Sequence, residues 1–322
     1  MRYDLVVRSR RTVLPEGTRA AAVAVSGPAI AAIAAYAEPL DAASDVDLGD
    51  LALLPGLVDT HVHVNEPGRT DWEGFATATR AAAAGGVTTI CDMPLNSLPP
   101  TVSVAALADK RAAAAGKCWV DVAVWGGAVP GNQDKLRPLH EAGVTGFKCF
   151  LIDSGVPEFP PLETADLRAV LSALAALDAL LIVHAEDGAE VKAASGRDFG
   201  AAWGGIASLQ PGLSAVWTVA RRRGRTLDDV VRWMAAAPAR LVGLPGKGSL
   251  AVGCDADLMA FDPDETYVVE AARLLHRHPV TPYAGRTLTG RVRQTWLRGI
   301  TLLDPDSGEP DGEPVGRLIN RG

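Results

Sequence analysis

The sequence contains few aromatic residues, 5% of its 322 positions, although apolar residues make up 48%. Aliphatic side chains must therefore fill the core, and the length suits one large domain or two ordinary ones. Basic residues are also scarce relative to acidic ones, and the net charge is -7. This balance predicts a soluble protein and excludes the broadly basic surface that nucleic-acid binding requires.

The sequence also lacks the features of membrane and secreted proteins. Its most apolar stretch, residues 20–37, is interrupted by Ser26, Gly27 and Pro28, so no run is long enough to cross a bilayer. The first residues, MRYDLVVRS, contain neither the apolar segment nor the cleavage site of a signal peptide. The four cysteines are dispersed without a C-x-x-C pair, which indicates reduced thiols and a cytoplasmic location.

The middle of the chain alternates between apolar strands and helical segments. The predicted strands cover residues 57–63, 87–94, 119–127, 146–152 and 180–186. The predicted helices between them cover residues 73–86, 103–117, 133–143 and 164–178. A repeat of about 30 residues is typical of βα units around a buried parallel sheet.

Both ends of the chain are predicted to form short strands with turns. Four strands are expected within residues 3–54, and further strands follow Lys247. Residues between 201 and 244 are predicted to be helical. We therefore expect the two terminal segments to combine into one small β domain.

Two histidines in the motif D-T-H-V-H, residues 59–63, are the sharpest sign of chemistry. Side chains two residues apart on a strand share a face, so His61 and His63 project together from a strand's carboxyl end. That end is the catalytic face of a parallel barrel. Two neighbouring imidazoles repel each other when protonated, so the pair favours a shared metal ion. The alternative is a pair of half-buried histidines held by hydrogen bonds.

A lysine and a third histidine lie at the ends of later strands. Lys148 interrupts the apolar strand GFKCFLI, where burial would lower its pKa and leave a neutral, nucleophilic amine. Carbon dioxide converts such an amine into an anionic carbamate that can bridge two metals. The alternative is a lysine paired with a nearby carboxylate. His184 ends the fifth strand; alone it would suit a core position, but beside the other three it is predicted to be a ligand.

Several stretches of this chain resemble the allantoinases of the cyclic amidohydrolase superfamily, nearly from end to end. They are DTHVHVNEPGRTDWEGF, DMPLNSLPPTV, GFKCFLIDSG, VHAED, AWGGIASLQ, HRHPVTPYAGRTL and KGSLAVGCDADL. The resemblance implies a binuclear metal centre, usually zinc, held by His61, His63, carboxylated Lys148 and His184. It also implies that a metal-activated hydroxide opens the hydantoin ring of (S)-allantoin, giving allantoate in purine catabolism. The family often forms oligomers, so a homo-oligomer is possible.

Two asparagines are candidate substrate-binding residues. Asn65 stands where the related dihydroorotases have an arginine for the substrate carboxylate, in the motif H-x-H-x-R. Allantoin has no carboxylate, and an amide can bind its ureido and ring groups. Asn96, in DMPLNS, follows the second strand, where loops reach the substrate. Formation of a turn is an equally good explanation of Asn96.

The resemblance breaks after His184, because the segment of the chain between Gly56 and Gly246 is too short for a whole barrel of about 250 residues. We predict an α/β fold: an incomplete TIM-like (β/α) amidohydrolase barrel of about five of the eight strands, plus a small β-sandwich domain. The barrel would occupy residues 55–246, and residues 1–54 and 247–322 would form the β domain. The family's sixth-strand histidine and eighth-strand aspartate would be missing between Gly188 and Arg197.

No general base is therefore identified. Asp187 and Asp198 are poor substitutes, His140 is expected to be solvated on a helix, and His276 and His278 are expected to lie outside the metal centre. Three functions remain open: an allantoinase-type hydrolase impaired by the missing residues, a catalytically inactive metal-binding or assembly homologue, and a hydantoinase or dihydropyrimidinase. The stretches WGGIASLQ and NEPG favour the first function over the third.

Overall fold

The computed structural model describes residues 2–185, 206–278, 280–304 and 307–322. Its N-terminal segment forms five strands, one more than the sequence predicts. They are β1 (Tyr3–Leu14), β2 (Gly17–Ser26), β3 (Ala29–Ala35), β4 (Ala42–Asp47) and β5 (Ala52–Pro55). The additional strand is β4, which pairs in parallel with the first half of β1.

Parallel strands alternate with helices from residue 57 to residue 184, as predicted. The strands are β6 (Leu57–Val62), β7 (Val87–Asp92), β8 (Asp121–Val124), β9 (Gly126–Gly127), β10 (Phe147–Phe150) and β11 (Leu181–His184). The helices are α1 (Phe75–Ala84), α2 (Val104–Ala114), α3 (Gln133–Glu141) and α4 (Thr164–Ala175). Hydrogen bonding gives the orders β6-β7-β8 and β9-β10-β11.

Only Trp125 separates β8 from β9, so these two are parts of one strand in the predicted range. The strands therefore lie side by side in chain order, with their carboxyl ends at one edge. The α/β class and the five parallel βα strands predicted from the sequence are confirmed.

One glycine is required where α1 turns into β7. Gly86 has a φ of 76°, in the left-handed region that favours glycine. A Cβ atom at this position would lie 2.0 Å from the Sδ atom of Met259. The turn therefore packs so closely against the C-terminal part of the chain that a side chain does not fit.

The chain between Gly212 and Leu241 is mainly helical. It forms α5 (Gly212–Arg222), α6 (Leu227–Val231), a π-helical segment (Arg232–Ala236) and α7 (Ala237–Leu241). Pro238 lacks the N–H group that an α-helix would bond to the Met234 carbonyl, which explains the wider turn before it. In the described part of the chain, every helix is too short or too polar to cross a lipid bilayer.

The C-terminal strands join those of the N-terminal segment. They are β12 (Leu258–Val268), β13 (Thr287–Leu297) and β14 (Ile300–Thr301), and a 3-10 turn covers Ala271–Arg273. The combined order is β14-β13-β12-β5-β1-β2-β3, with β4 beside β1. Strands from both terminal segments thus share one eight-stranded sheet; the composite β domain and its β-sandwich form stay predictions.

A continuous apolar core crosses the predicted boundary between residues 54 and 55. One cluster contains Leu54 and Phe261 from the terminal sheet together with Phe75 and Ile90 from the βα segment, all fully buried. Because burial of apolar surface is the main stabilising contribution to a fold, the sheet and the βα segment stabilise each other.

The βα segment is less well covered at its two flanks. All residues of β10 are buried, whereas Val183 in the adjacent β11 is 41% exposed. At the other flank, β6 contacts the segment Arg232–Leu241, in which Trp233 is 43% exposed and Leu241 is 55% exposed. The described residues therefore leave apolar surface at both flanks.

A buried ion network connects β8 to the terminal sheet. Lys247 Nζ lies 2.6 Å from Asp121 Oδ2 and 2.8 Å from both Asp255 Oδ2 and Asp257 Oδ2. Arg298 Nη1 donates to Asp121 Oδ2 at 2.5 Å. Asp121 begins β8 and Asp257 immediately precedes β12, so these charges hold the amino end of a parallel strand against the sheet.

We expect Lys247→Met to destabilise the protein by about 3–5 kcal/mol, because it leaves buried carboxylates without their cation. Urea unfolding measures this change in the free energy of unfolding. The matched control Lys135→Met, at an exposed position on α3, should change it by less than about 0.5 kcal/mol. Similar small effects of both substitutions would contradict a stabilising role of the network.

Candidate metal centre

The two histidines of the D-T-H-V-H motif lie at the carboxyl end of β6. His61 is in the strand and His63 follows its last residue. Their ring centroids are 5.5 Å apart, and the ring planes are inclined by 45°. The backbone N–H of His61 donates to Asp59 Oδ1 at 3.0 Å. The strand thus presents both imidazoles at the same edge, as the spacing predicts.

Lys148 and His184 lie on the neighbouring strands β10 and β11. Lys148 is only 4% exposed. Its Nζ atom is 5.1 Å from the ring centroid of Phe150, which is on the same face of β10. Phe150 pairs with His184 in the strand register, and the two rings are stacked with centroids 4.7 Å apart. One phenyl ring therefore packs against both the amine and the imidazole.

Burial and mutual repulsion disfavour the charged forms of His61 and His63, and burial disfavours that of Lys148. Burial, followed by the charges of His61 and Lys148, lowers the pKa of His63 to about 3. The pKa of His61 is also lowered, first by burial and then by Lys148. His184 acts in the same direction on both. Burial lowers the pKa of Lys148. The structure thus brings the four predicted ligands within electrostatic reach of one another.

The chemistry of these donors fits zinc. Zinc binds neutral imidazole nitrogen well, and ligands must be deprotonated before they bind. Lys148 could instead be a lysine paired with a carboxylate, but among the described residues no carboxylate oxygen lies within 4.0 Å of its Nζ atom. Burial lowers the pKa of Lys148 and so favours loss of its proton, and the deprotonated amine is the form that reacts with carbon dioxide.

Asn96 is placed beside the metal-ligand candidates. Its Nδ2 atom lies 3.3 Å from His63 Nδ1, and its φ is 70°. A side-chain amide in this position can orient the imidazole, because rotation by half a turn would present its oxygen to an Nδ1–H group and leave Nε2 for a metal. Asn96 therefore contacts His63 directly, and its predicted contact with substrate stays a prediction.

Asn65 is more buried than a typical substrate-binding residue. It is 5% exposed, has a φ of 68°, and its Oδ1 atom is buried without a hydrogen-bond partner. A buried acceptor of this kind costs free energy unless a donor satisfies it. Asn65 therefore offers an unused acceptor close to His63, which is compatible with its predicted role.

The sequence reasoning missed the polar groups that support these side chains. Asp92, the last residue of β7, accepts a hydrogen bond from the Val64 N–H at 2.9 Å and contacts Lys110 of α2. Lys110 lies on the same helical stripe as buried Leu107 and Ala114. A lysine at such an apolar position is the signal that could have identified it.

An arginine connects three loops near the same edge. Arg69 forms an ion pair with Glu158, donates to the Asn96 carbonyl at 3.0 Å, and lies over the Trp72 ring at 4.8 Å. The loops that follow β6, β7 and β10 are thus tied together. This pairing could not be predicted from local sequence patterns, because Arg69 and Glu158 are far apart along the chain.

One prediction about the other histidines is wrong. His140 is not solvated: it is 8% exposed on α3, and its Nε2 atom contacts Arg321, because the C-terminal residues pack over that helix. His278 Nε2 lies 3.0 Å from the Asp71 carbonyl. Asp187 and Asp198 lie outside the described residues.

The cluster of Asp121, Asp255 and Asp257 also has the spacing of a metal site. However, the Lys247 ammonium group already lies among its three carboxylates. A bound cation would have to displace this lysine, so the cluster is better explained as part of the ion network.

We expect the metal-free protein to lose stability as the pH falls below about 6.5. An unfolded histidine takes up a proton near this pH, whereas folded His63 does so only at about 3. Between these values the unfolded chain binds more protons, so acid favours unfolding. In urea unfolding with a chelator present, His63→Gln should flatten this dependence. If the free energy of unfolding changed with pH equally steeply in the parent and in the variant, the lowered pKa of His63 would be contradicted.

Comparisons with known proteins agree with this architecture. The model of the amidohydrolase family matches residues 52–204, and a second model of the same description matches residues 214–302. The fold is similar to that of an L-hydantoinase (dihydropyrimidinase) from Arthrobacter aurescens, with a TM-score of 0.91 and 24% identity. That match covers 99% of this chain and 100% of the other.

Two proteins with similar sequences are named allantoinases. The one from Streptomyces avermitilis is 41% identical, and the match covers 99% of each chain. The one from Solibacter usitatus is 33% identical, with 94% of each chain covered. The first alignment spans 445 positions, which exceeds the 322 residues of this chain by 123. These relatives show that the chain belongs to the amidohydrolase family, as a homologue of allantoinases.

Proposed function

We propose that this protein is an allantoinase-type cyclic amidohydrolase that uses metal to hydrolyse the hydantoin ring of (S)-allantoin to allantoate, a step of purine catabolism. The observation that carries the proposal is the edge formed by His61, His63, Lys148 and His184. The lowered pKa values of His61, His63 and Lys148, and the placement of all four residues in or directly after β6, β10 and β11, suit a metal centre. The dispersed, unpaired cysteines favour a cytoplasmic location.

The residues of the centre have distinct roles in this proposal. His61, His63 and His184 offer imidazole nitrogens as ligands. The neutral Lys148 amine attacks the carbon of carbon dioxide and loses a proton, giving a carbamate that would complete the ligand set. Zinc held by these residues would lower the pKa of water and polarise the ring carbonyl.

The polar groups around the centre favour a substrate without a carboxylate. Asn65 stands in the place of a cation, and the nearest arginine along the chain, Arg69, is paired with Glu158. The unsatisfied Asn65 Oδ1 atom can accept a hydrogen bond from a ring or ureido N–H. Asn96, beside His63, would approach the same substrate from the loop after β7.

We further propose that the barrel is incomplete. Twenty-seven residues, 185–211, separate β11 from α5, and a single βα unit takes about 30 residues. The longer alignment with the Streptomyces relative agrees with the absence of several units. The sixth-strand histidine and eighth-strand aspartate of the family would then be absent, and proton transfer would lack its general base.

We expect little or no turnover from this chain. The protein, supplied with zinc and bicarbonate, should form allantoate at least about 10²–10⁴-fold more slowly than the Streptomyces relative, because general acid–base catalysis contributes that much. Residual activity should disappear in Lys148→Met, which cannot form a carbamate. Turnover equal to that of the relative would contradict the impairment.

A complete absence of turnover combined with zinc binding would favour the second candidate, a non-catalytic metal-binding or assembly homologue. The second candidate is favoured by the alignment with the Streptomyces relative, which spans more positions than this chain has residues. Faster opening of unsubstituted hydantoin or dihydrouracil than of allantoin would instead favour a hydantoinase or dihydropyrimidinase.

We expect the purified chain to be marginally stable or to associate with itself, since Val183 and Trp233 leave apolar surface at the flanks of the βα segment. Size-exclusion chromatography with light scattering, followed by thermal melting, measures both properties. A monomer that melts sharply at high temperature would contradict this expectation.

A further inference from the structure

A fully buried ion pair lies behind the edge that carries the histidines. Lys110 of α2 is 0% exposed and Asp92 of β7 is 1% exposed. Lys110 Nζ contacts Asp92 Oδ2 at 2.5 Å and the Met93 carbonyl at 2.9 Å. Both hydrogen bonds hold the chain where β7 ends.

The other oxygen of the same carboxylate reaches the histidine motif. Asp92 Oδ1 accepts a hydrogen bond from the Val64 N–H at 2.9 Å. This N–H belongs to the peptide that joins His63 to Val64, just beyond the last residue of β6. Asp92 and Val62 are also the last pair in the register of β6 and β7. The hydrogen bond from the Val64 N–H to the Asp92 side chain therefore connects the two chain segments just beyond the paired strands.

The energetics of such a pair call for an explanation. Removing two charges from water costs several kcal/mol, and an apolar pair of similar volume is often as stable or more stable. Asparagine or serine could also accept a hydrogen bond from one peptide N–H. The ion pair additionally fixes the orientation of the Asp92 carboxylate, because the Lys110 ammonium group holds it between α2 and the peptide that follows His63.

We propose that Lys110 and Asp92 are positioning residues that set the orientation of His63, and with it the geometry of the histidine pair for metal binding. This inference rests on the proposed metal centre. Groups that support metal ligands from outside typically change metal affinity by about 10–100-fold when they are removed. The geometry thus assigns a role in metal binding to two residues that do not themselves touch the metal.

The test measures zinc affinity of the full chain with a competing chromogenic chelator, in the presence of bicarbonate. We expect Lys110→Met and Asp92→Asn to weaken binding by about 10–100-fold. Each single variant also leaves one buried charge without its partner, so urea unfolding of the metal-free protein is measured in parallel.

The double variant Asp92→Asn/Lys110→Met separates positioning from stability. It contains no unpaired buried charge and keeps an acceptor for the Val64 N–H, so it should recover stability relative to the single variants. We expect its zinc affinity to stay about 10-fold or more below that of the parent. Recovery of parental affinity together with stability would overturn the positioning role.

A matched control exists in the same molecule. Glu66 contacts Lys117 through Oε1 and accepts a hydrogen bond from the Phe75 N–H through Oε2 at 2.9 Å, a similar arrangement at the start of α1 in which the lysine side chain is 44% exposed. Lys117→Met should leave zinc affinity unchanged. An equal loss in this control would also overturn the inference. If the parent chain bound no zinc, the proposed metal centre itself would be refuted. The positioning role, in contrast, is tested by differences in zinc affinity between the parent and the variants.

Discussion

Parallel pairing in chain order is the constraint on which the candidate metal centre depends. Because β6, β7, β10 and β11 run in the same direction, residues that are distant in sequence come together where these strands end. His63, Lys148 and His184 occupy that edge, and burial there disfavours the charged forms of His63 and Lys148. The strand pairing that forms the core thus also places nitrogen ligands in a buried environment. The chemistry follows from the pairing rather than from any single motif.

The sequence allowed the strands and the ligand candidates to be predicted because both leave local signals. Two-residue spacing identified His61 and His63, and a charged residue in an apolar strand identified Lys148. Their supporting partners could not be predicted, because Lys110 on a helix and Asp92 on a strand interact through tertiary packing. Local sequence periodicity does not determine this packing. The wrong prediction for His140 has the same origin, since its burial depends on Arg321 at the far end of the chain.

The two ends of the parallel strands use buried charge differently. At the amino end of β8, Lys247 and Arg298 neutralise Asp121, and the network joins separate parts of the fold. At the carboxyl end of β7, Lys110 and Asp92 contact the peptide beside a histidine. This division agrees with barrels in general, in which the amino face stabilises and the carboxyl face carries the chemistry.

The sharing of one apolar core between the terminal sheet and the βα segment has a consequence for biosynthesis. Phe261 and Leu297 pack in the cluster that also contains Phe75, and the backbone of Val122 bonds with Arg317 and Ile319. During synthesis, the apolar residues of the early strands are therefore without their C-terminal partners until these have been translated. Contacts between residues so distant in sequence also slow folding. The shared core can close only once strands β12 and β13 are available to pack against it.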